Sequence, residues 1–375
     1  MNKPLRIAFL LPNLKGGGLE RVGLNLIKGM MGRNLKLDLV LTSAIGEFLS
    51  DVPSEIRTID LKTPMGFRLK SAAESILPLK KYLQKEKPDI VVSHLYIYNI
   101  VAAIAKILAM SPTYLVLVEH ASLYESRNRG RGTQVWLLPL LMRYLYPLAG
   151  SVIAVSQSLA RELEADLKLK PNSIKTIYNP VINESLFLKA KEAVEHPWFK
   201  EGEPPVILGV GRLATQKDFP TLIRAFAMVR QVQPARLVIL GDGPEKAKLA
   251  ALIQELNLEN DVALLGFTKN PYAYMARAGV FVLSSAWEGL PTVLIEAMAI
   301  GTPIVSTNCK NGPEEILDGG KYGELVSVGN SEAMAQSILG VLSGDRKQVD
   351  PDWLDQFTWK TAIQNYLNLL GIAQS

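Results

Sequence analysis

The sequence predicts an α/β chain built as two doubly wound parallel-sheet domains, and three observations carry that expectation. At 375 residues the chain is long for one core and comfortable for two. Short Val/Ile/Leu-rich runs alternate with amphipathic stretches of helical length, the pattern of parallel strands joined by crossover helices. Several of these runs end in glycine-bearing loops that open the next helix, and the ends of strands are where open α/β sheets gather ligands. A hydrophobic content of 48% is enough for two sizeable cores.

In the first half, Leu5–Leu11 is an unbroken apolar run stopped by Pro12 and the triplet Gly16-Gly17-Gly18, and helical spacing of apolar residues follows over Leu19–Met31. Further strands are expected at Lys36–Thr42, Ile90–Ser93, Tyr114–Glu119, Val152–Val155 and Ile174–Ile177. The intervening helices are expected at Leu69–Lys87, Ile97–Met110, Val135–Leu148 and Ser158–Leu169. In the second half, strands are expected at Val206–Gly211, Arg236–Gly241, Val262–Leu265, Val280–Ser284 and Ile304–Ser306. Helices are expected at Pro220–Arg230, Glu245–Asn257, Thr292–Ala299 and Glu332–Leu342. The domain boundary falls near Tyr178-Asn179-Pro180, where an apolar strand gives way to the charged stretch Asn183–Pro204. Domains over 1–180 and 181–357 follow. A last amphipathic helix over Thr358–Leu370 carries Trp359, Ile363, Tyr366, Leu367 and Leu370 along one side.

The net charge of +5 hides an asymmetry. Residues 1–180 hold 24 Lys and Arg against 14 Asp and Glu, a net of +10, whereas residues 181–375 hold 17 against 22, a net of −5. A basic first half suits an anionic partner, whether a membrane surface, a lipid diphosphate or a nucleic acid. The cluster Arg127, Arg129 and Arg131, beside the apolar stretch that bears Trp136, fits a membrane surface, and fits a solvated loop before a core helix equally well. Nucleic-acid motifs are absent, so no nucleic-acid partner is expected. The single cysteine, Cys309, precludes an internal disulfide. The first apolar run is too short for a secretory leader, and the longest apolar stretch, Leu95–Met110, is interrupted by Lys106 and too short for a span. The expected location is cytoplasmic, extending to peripheral attachment on the inner face of the cell membrane.

The most informative segment is Ser284-Ser285-Ala286-Trp287-Glu288-Gly289-Leu290-Pro291-Thr292-Val293-Leu294-Ile295-Glu296. A buried strand runs into a Gly/Pro loop that opens a helix. Pro291 suits a first helical turn, because its missing N–H would be unpaired there anyway. The amides of Thr292, Val293 and Leu294 then point outward and can hold a phosphate. Glu288 stands just before that anion site and Glu296 about one turn inside it. A carboxylate on each side suits a ligand with hydroxyls flanking a phosphate, such as a nucleotide sugar. An ordinary loop with two solvated glutamates would account for either residue alone. The whole stretch, continued by Gly301-Thr302-Pro303-Ile304-Val305, resembles the retaining glycosyltransferases of family 4, which carry two glutamates at this spacing in this context.

That resemblance extends over both halves. It implies the GT-B fold, two Rossmann-like domains facing each other across a cleft, with the terminal helix 358–375 packing back on the first domain. In Gly209-Val210-Gly211-Arg212-Leu213-Ala214-Thr215-Gln216-Lys217, Arg212 and Lys217 match the family's cations on the donor diphosphate, where they can meet the charge that develops on the leaving group. His120, at the end of an apolar strand, matches the family's active-site histidine. His94 also ends a strand, and for it a structural role is as good a reading as a functional one. Gly16, Gly17 and Gly18 match the family's first-domain loop, near donor phosphates and acceptor. Asp242 and Gly243 lie in Gly241-Asp242-Gly243-Pro244 and resemble the nucleotide-side loop. Phe267 follows the strand end where relatives hold the base through backbone groups, and could equally be core. Gly289, Leu290, Pro291, Thr292, Val293 and Glu296 complete the expected donor site. His196, in the charged connection, reads as surface. Asp350-Pro351-Asp352 superficially resembles the Asp-x-Asp metal motif of other glycosyltransferases but reads as a turn and helix cap, so neither metal nor cofactor is expected.

The implied function is retaining transfer of a sugar from a nucleotide diphosphate, a UDP-sugar, to a hydroxyl of a glycan or lipid-linked acceptor. Glu288 would bind the donor sugar and Glu296 the ribose. A nucleotide-sugar epimerase of the same fold and a silent sugar-nucleotide-binding protein are the competing readings. The first needs a carboxylate acid/base pair at the reacting carbon, and the second leaves the set His120, Arg212, Lys217, Glu288 and Glu296 without a purpose.

Overall fold

The computed structural model describes residues 4–15, 17–64, 72–123 and 134–372, with the backbone alone described over 134–136. The chain divides into two compact units, Met1–Pro180 with Trp359–Ser375, and Val181–Thr358. Gly16 and the cluster Arg127, Arg129 and Arg131 lie outside the described residues, as does the side chain of Trp136.

In the first unit, seven strands form one sheet, β1 (Leu5–Leu11), β2 (Leu35–Leu41), β3 (Arg57–Asp60), β4 (Ile90–His94), β5 (Tyr114–Glu119), β6 (Ser151–Ala154) and β7 (Lys175–Thr176). They are ordered β3-β2-β1-β4-β5-β6-β7, and every pairing is parallel. The order reverses between β1 and β4, the topological switch where such sheets open a crevice at the strand C-termini. The apolar residues of β1 and β4 are buried from both faces, which is why these strands read as continuous hydrophobic runs. The terminal helix Trp359–Leu369 lies on helix Gly18–Met30 and buries Ala362, Ile363, Tyr366 and Leu367. Gly29 makes this close packing possible, because a Cβ there would collide with Ile363. The helix expected over Leu69–Lys87 is described as Ile76–Glu86, with residues 65–71 outside the description.

In the second unit, six strands form the other sheet, β8 (Val206–Val210), β9 (Arg236–Leu240), β10 (Val262–Gly266), β11 (Val280–Leu283), β12 (Ile304–Thr307) and β13 (Glu324–Val326). The order is β10-β9-β8-β11-β12-β13, again parallel throughout, with the switch between β8 and β11. Helices Phe219–Val232 and Ser331–Leu342 pack together over the buried Ile207, Leu237, Val280 and Val305. The charged connection contains a helix the sequence did not suggest, Glu184–Ala190, capped by Asn183 through its side chain and the amide of Leu186. Asp350 caps helix Pro351–Leu354 by accepting the amide of Asp352 at 3.0 Å, so the Asp350-Pro351-Asp352 run is a cap.

Candidate active site

The loops after β8 and β11 flank the switch point of the second sheet, and their side chains meet there. Lys217 Nζ lies 2.6 Å from Glu288 Oε1. Ser285 Oγ donates to the same oxygen at 2.6 Å, and Gln216 Nε2 reaches Glu288 Oε2 at 3.4 Å. The backbone ties the two loops together, with the amide of Ala286 donating to the carbonyl of Gln216 at 2.8 Å and Ser284 Oγ to that of Lys217 at 2.7 Å. Lys217 and Glu288 keep only 16% and 8% of their side chains exposed. Lys217 is therefore not the solvated cation expected of a surface loop; it is the counter-ion of a buried carboxylate. Gly211 allows this, since the alkyl stem of Lys217 crosses it and a Cβ there would stand 3.0 Å from Lys217 Cε. Beside the pair, burial first and the Glu288 charge second push the Cys309 thiol up to about 12.

Arg212 differs. It is exposed and makes no ion pair with a described residue, so it stays available to a ligand anion. Its neighbours are closely packed, because the amide of Leu213 donates to the Asp242 carbonyl at 2.9 Å and that of Gly241 to the Gly266 carbonyl at 2.7 Å. Glycine is required at Gly241 and Gly243, where a Cβ would strike the carbonyls of Gly211 and Leu213. Gly241 also sits at φ +141, open to glycine and costly for other residues. Asp242 is exposed and accepts the amide of Gly243. Phe267 is 45% exposed at the end of β10, which removes the core reading and leaves its ring available as a surface.

The helix after β11 begins at Thr292, as expected, but Pro291 does not enter its first turn. Pro291 is the cap residue at φ −70, ψ 96, outside the first turn. The amide of Leu294 is already used, donating to the Pro291 carbonyl at 3.0 Å. The anion-binding amides of this helix start are thus those of Thr292 and Val293. Gly289 and Leu290 are buried in the loop before it. Glu296 is 5% exposed and accepts from Tyr272 Oη at 3.2 Å. Sequence reasoning missed Ser285 and Tyr272. Ser285 stands three residues before Glu288, a spacing that could have marked it, whereas nothing in the chain links Tyr272 to a carboxylate 24 residues away.

The first unit carries its own candidates at the ends of β1, β4 and β5. Gly17 caps helix Gly18–Met30, and the Glu20 carboxylate lies over it. A carboxylate there complements the helix dipole and gives an approaching phosphate less to bind than the bare glycine loop suggested. The preceding residues are held by the loop after β2, with the amide of Leu14 donating to Ile45 and that of Phe48 to Leu14. His120 follows β5, and its Nε2 lies 2.9 Å from Nδ1 of the fully buried His94. Burial holds His120 down to about 3, and burial with the neighbouring ring holds His94 well below its usual range. The residue before His120, Glu119, is completely buried; Asn99 Nδ2 donates to its Oε1 at 2.7 Å and the Tyr146 hydroxyl donates to the same oxygen. Burial raises this carboxyl to about 7 against those two hydrogen bonds. His196, expected at the surface, is half-buried in a ring cluster with Trp198 and Phe199, and its Nδ1 accepts the amide of Trp198.

Two family models match the chain, Glycosyltransferase Family 4 over residues 16–184 and Glycosyl transferases group 1 over residues 191–352. The chain belongs to glycosyltransferase family 4. This family 4 chain is 36% identical over 246 residues to an uncharacterized glycosyltransferase of Methanocaldococcus jannaschii, covering 63% of this chain and 60% of that protein. It is 37% identical over 206 residues to the N-acetylgalactosamine-N,N'-diacetylbacillosaminyl-diphospho-undecaprenol 4-alpha-N-acetylgalactosaminyltransferase of Campylobacter jejuni, covering 55% and 54%. The match thus spans about half to three-fifths of the length of these curated relatives. The structure of Anabaena HepE in complex with UDP and glucose matches with a TM-score of 0.80 at 22% identity, covering 98% of this chain and all of that one, a likeness of fold. The family 4 chain therefore has the GT-B fold, each domain a Rossmann-like parallel sheet. Among its described residues no group of three or more His, Cys, Asp or Glu could hold a metal ion, and no helix is long and apolar enough to cross a membrane.

Proposed function

We propose that the protein is a retaining glycosyltransferase that moves a sugar from a UDP-sugar to a hydroxyl of a lipid-linked glycan. The observation that carries this reading is the buried Lys217–Glu288 pair at the switch point of the second sheet, one loop away from the free helix amides of Thr292 and Val293. Lys217 and Ser285 hold Glu288 Oε1, and Oε2, met only by the long contact from Gln216, offers its remaining lone pair to donor-sugar hydroxyls. Arg212, Lys217 and the two amides face a diphosphate, and a site so supplied with positive charge stabilises the leaving group without a metal. Glu296, steadied by Tyr272, takes the ribose. In the step itself, the bond from the anomeric carbon to the phosphate oxygen breaks and the bond to the acceptor oxygen forms on the same face. The acceptor proton passes to the departing phosphate, so no side-chain nucleophile is required. The undecaprenol-linked substrate named for the Campylobacter relative and the UDP bound in HepE support the substrate classes.

The test is a panel of nucleotide sugars with a lipid extract, followed by NMR of the product. UDP release coupled to a glycolipid that keeps the donor's anomeric configuration is expected. A free epimerised sugar, or no turnover with any donor, overturns the reading.

The exposed apolar residues of the first domain support a membrane-borne acceptor. Leu137, Leu140 and Tyr144 stand out from helix Gln134–Leu145, and Ile107 and Leu108 from its packing neighbour Tyr96–Ala109, followed by Met110 at 89% exposure. With the basic excess of this half, they fit an anionic bilayer. The protein is expected to sediment with anionic vesicles at low salt and to be released as salt rises, because exposed charges are screened. Indifference to anionic vesicles at low salt would remove the membrane from the proposal.

A further inference from the structure

His94 and His120 end adjacent parallel strands, and their approach is fixed by the backbone. The amide of Leu95 and the side-chain amide of Asn99 both donate to the Val118 carbonyl, at 3.1 and 3.0 Å, stitching the end of β4 to the end of β5. Leu95 holds φ 79, an uncommon conformation for a residue with a side chain, in order to make this bond. The two rings are thereby set with centroids 5.1 Å apart and tilted by 32°. Since both imidazoles are held neutral, each has one N–H and one bare nitrogen. The Nδ1 to Nε2 contact then demands complementary tautomers, and only two arrangements satisfy it.

The choice between them is made at the far side of His94, where Nε2 is buried without a hydrogen-bond partner. If His120 donated, His94 would carry its proton on that buried Nε2, leaving an N–H unpaired, the rarer and costlier kind of buried polar group. If His94 donates from Nδ1, the buried Nε2 is only a bare lone pair. His120 then accepts through Nε2 and carries its proton on Nδ1, which makes no bond to a described residue. We infer that His94 is a positioning residue that locks His120 in its Nδ1-protonated tautomer, so that His120 offers a ligand a hydrogen-bond donor and not a base. The nature of that ligand, an oxygen of the donor sugar or its phosphate, rests on the glycosyltransferase reading; the tautomer does not.

The test is long-range ¹H–¹⁵N NMR of the ¹⁵N-labelled full chain near neutral pH, with His196→Asn and His120→Asn used to assign the three imidazoles. Native His120 is expected to be protonated at Nδ1 and His94 likewise. In His94→Phe, His120 is expected to shift to the Nε2-protonated form that an unconstrained neutral histidine side chain prefers. In His94→Asn, whose side-chain N–H can stand where the Nδ1–H stood, the Nδ1 form is expected to persist. Native His120 protonated at Nε2 overturns the inference, and that single spectrum decides it even if a variant fails to fold. Unchanged His120 resonances in a folded His94→Phe protein also overturn it. Failure of glycosyl transfer would leave these resonances as they are, so the two readings fail separately.

Discussion

Lys217→Ala is expected to lower both stability and turnover, whereas Arg212→Ala lowers turnover alone. Lys217 neutralises a carboxylate that is 7% exposed, and removing one member of a buried pair leaves the other as an uncompensated buried charge. The expected loss is on the order of 3 kcal/mol of folding free energy. The hydrogen bonds from Ser285 and Gln216 to Glu288 remain and moderate it. Adding Glu288→Gln to Lys217→Ala removes the stranded charge and should restore most of that stability while activity stays lost. Arg212 is exposed and unpaired among the described residues, so its removal should leave the unfolding transition in place. For both single variants turnover should fall about 100-fold or more, the effect of a lost charge contact that is made in the transition state. Denaturant unfolding beside turnover separates the two residues. An unchanged midpoint for Lys217→Ala would mean that the pair does not hold Glu288 in place.

Glu119 gives the second large effect, and it depends on pH. Burial raises its carboxyl from 4.5 to about 7, despite the bonds from Tyr146 and Asn99 that favour the ionised form. A group whose folded pKa lies above its unfolded one adds stability that is fully present below about pH 4.5 and is lost as pH rises through about 7. Over that window the loss approaches about 3 kcal/mol. His94 and His120 act in the opposite sense, since their depressed values make stability fall as pH drops below 6.5. The native profile is therefore pulled both ways, and the comparison with Glu119→Gln isolates one group. The Gln variant, neutral at every pH, should gain on the native protein as pH rises from about 5 to about 8. Parallel stability curves for the two proteins would show that Glu119 is not ionised at the cost of its burial.

The central strands were legible because they are buried on both faces: β1 and β5 read correctly to the residue, and β4 to within one. The strands that escaped, β3 and β13, are sheet edges. Their short, half-exposed runs Arg57–Asp60 and Glu324–Val326 carry charge and lack the apolar signature that burial demands. In the site, the loops and their charged residues were readable from strand-end position and family resemblance. Their internal chemistry was not. That Lys217 faces Glu288, that Tyr272 steadies Glu296 and that His94 meets His120 are contacts across 71, 24 and 26 residues of chain, set by sheet order for the first and last and by helix packing for the second. Glu119 was a missed signal of another kind, an acid ending an apolar strand next to a candidate histidine. The position of Pro291 was misplaced by one residue because proline is accepted both as a cap and in a first turn.

The account stands on a nucleotide-diphosphate site at the switch point of the second sheet, and calorimetry with UDP tests that claim most directly. The native protein should bind UDP without added metal. Glu296→Ala should weaken binding by about tenfold or more, the loss of hydrogen bonds to a charged group. Glu288→Ala should spare UDP affinity, because its partner is the donor sugar and Lys217 still faces the phosphates. Absence of UDP binding by the native protein, or equal loss of affinity in the two variants, would contradict the site as assigned.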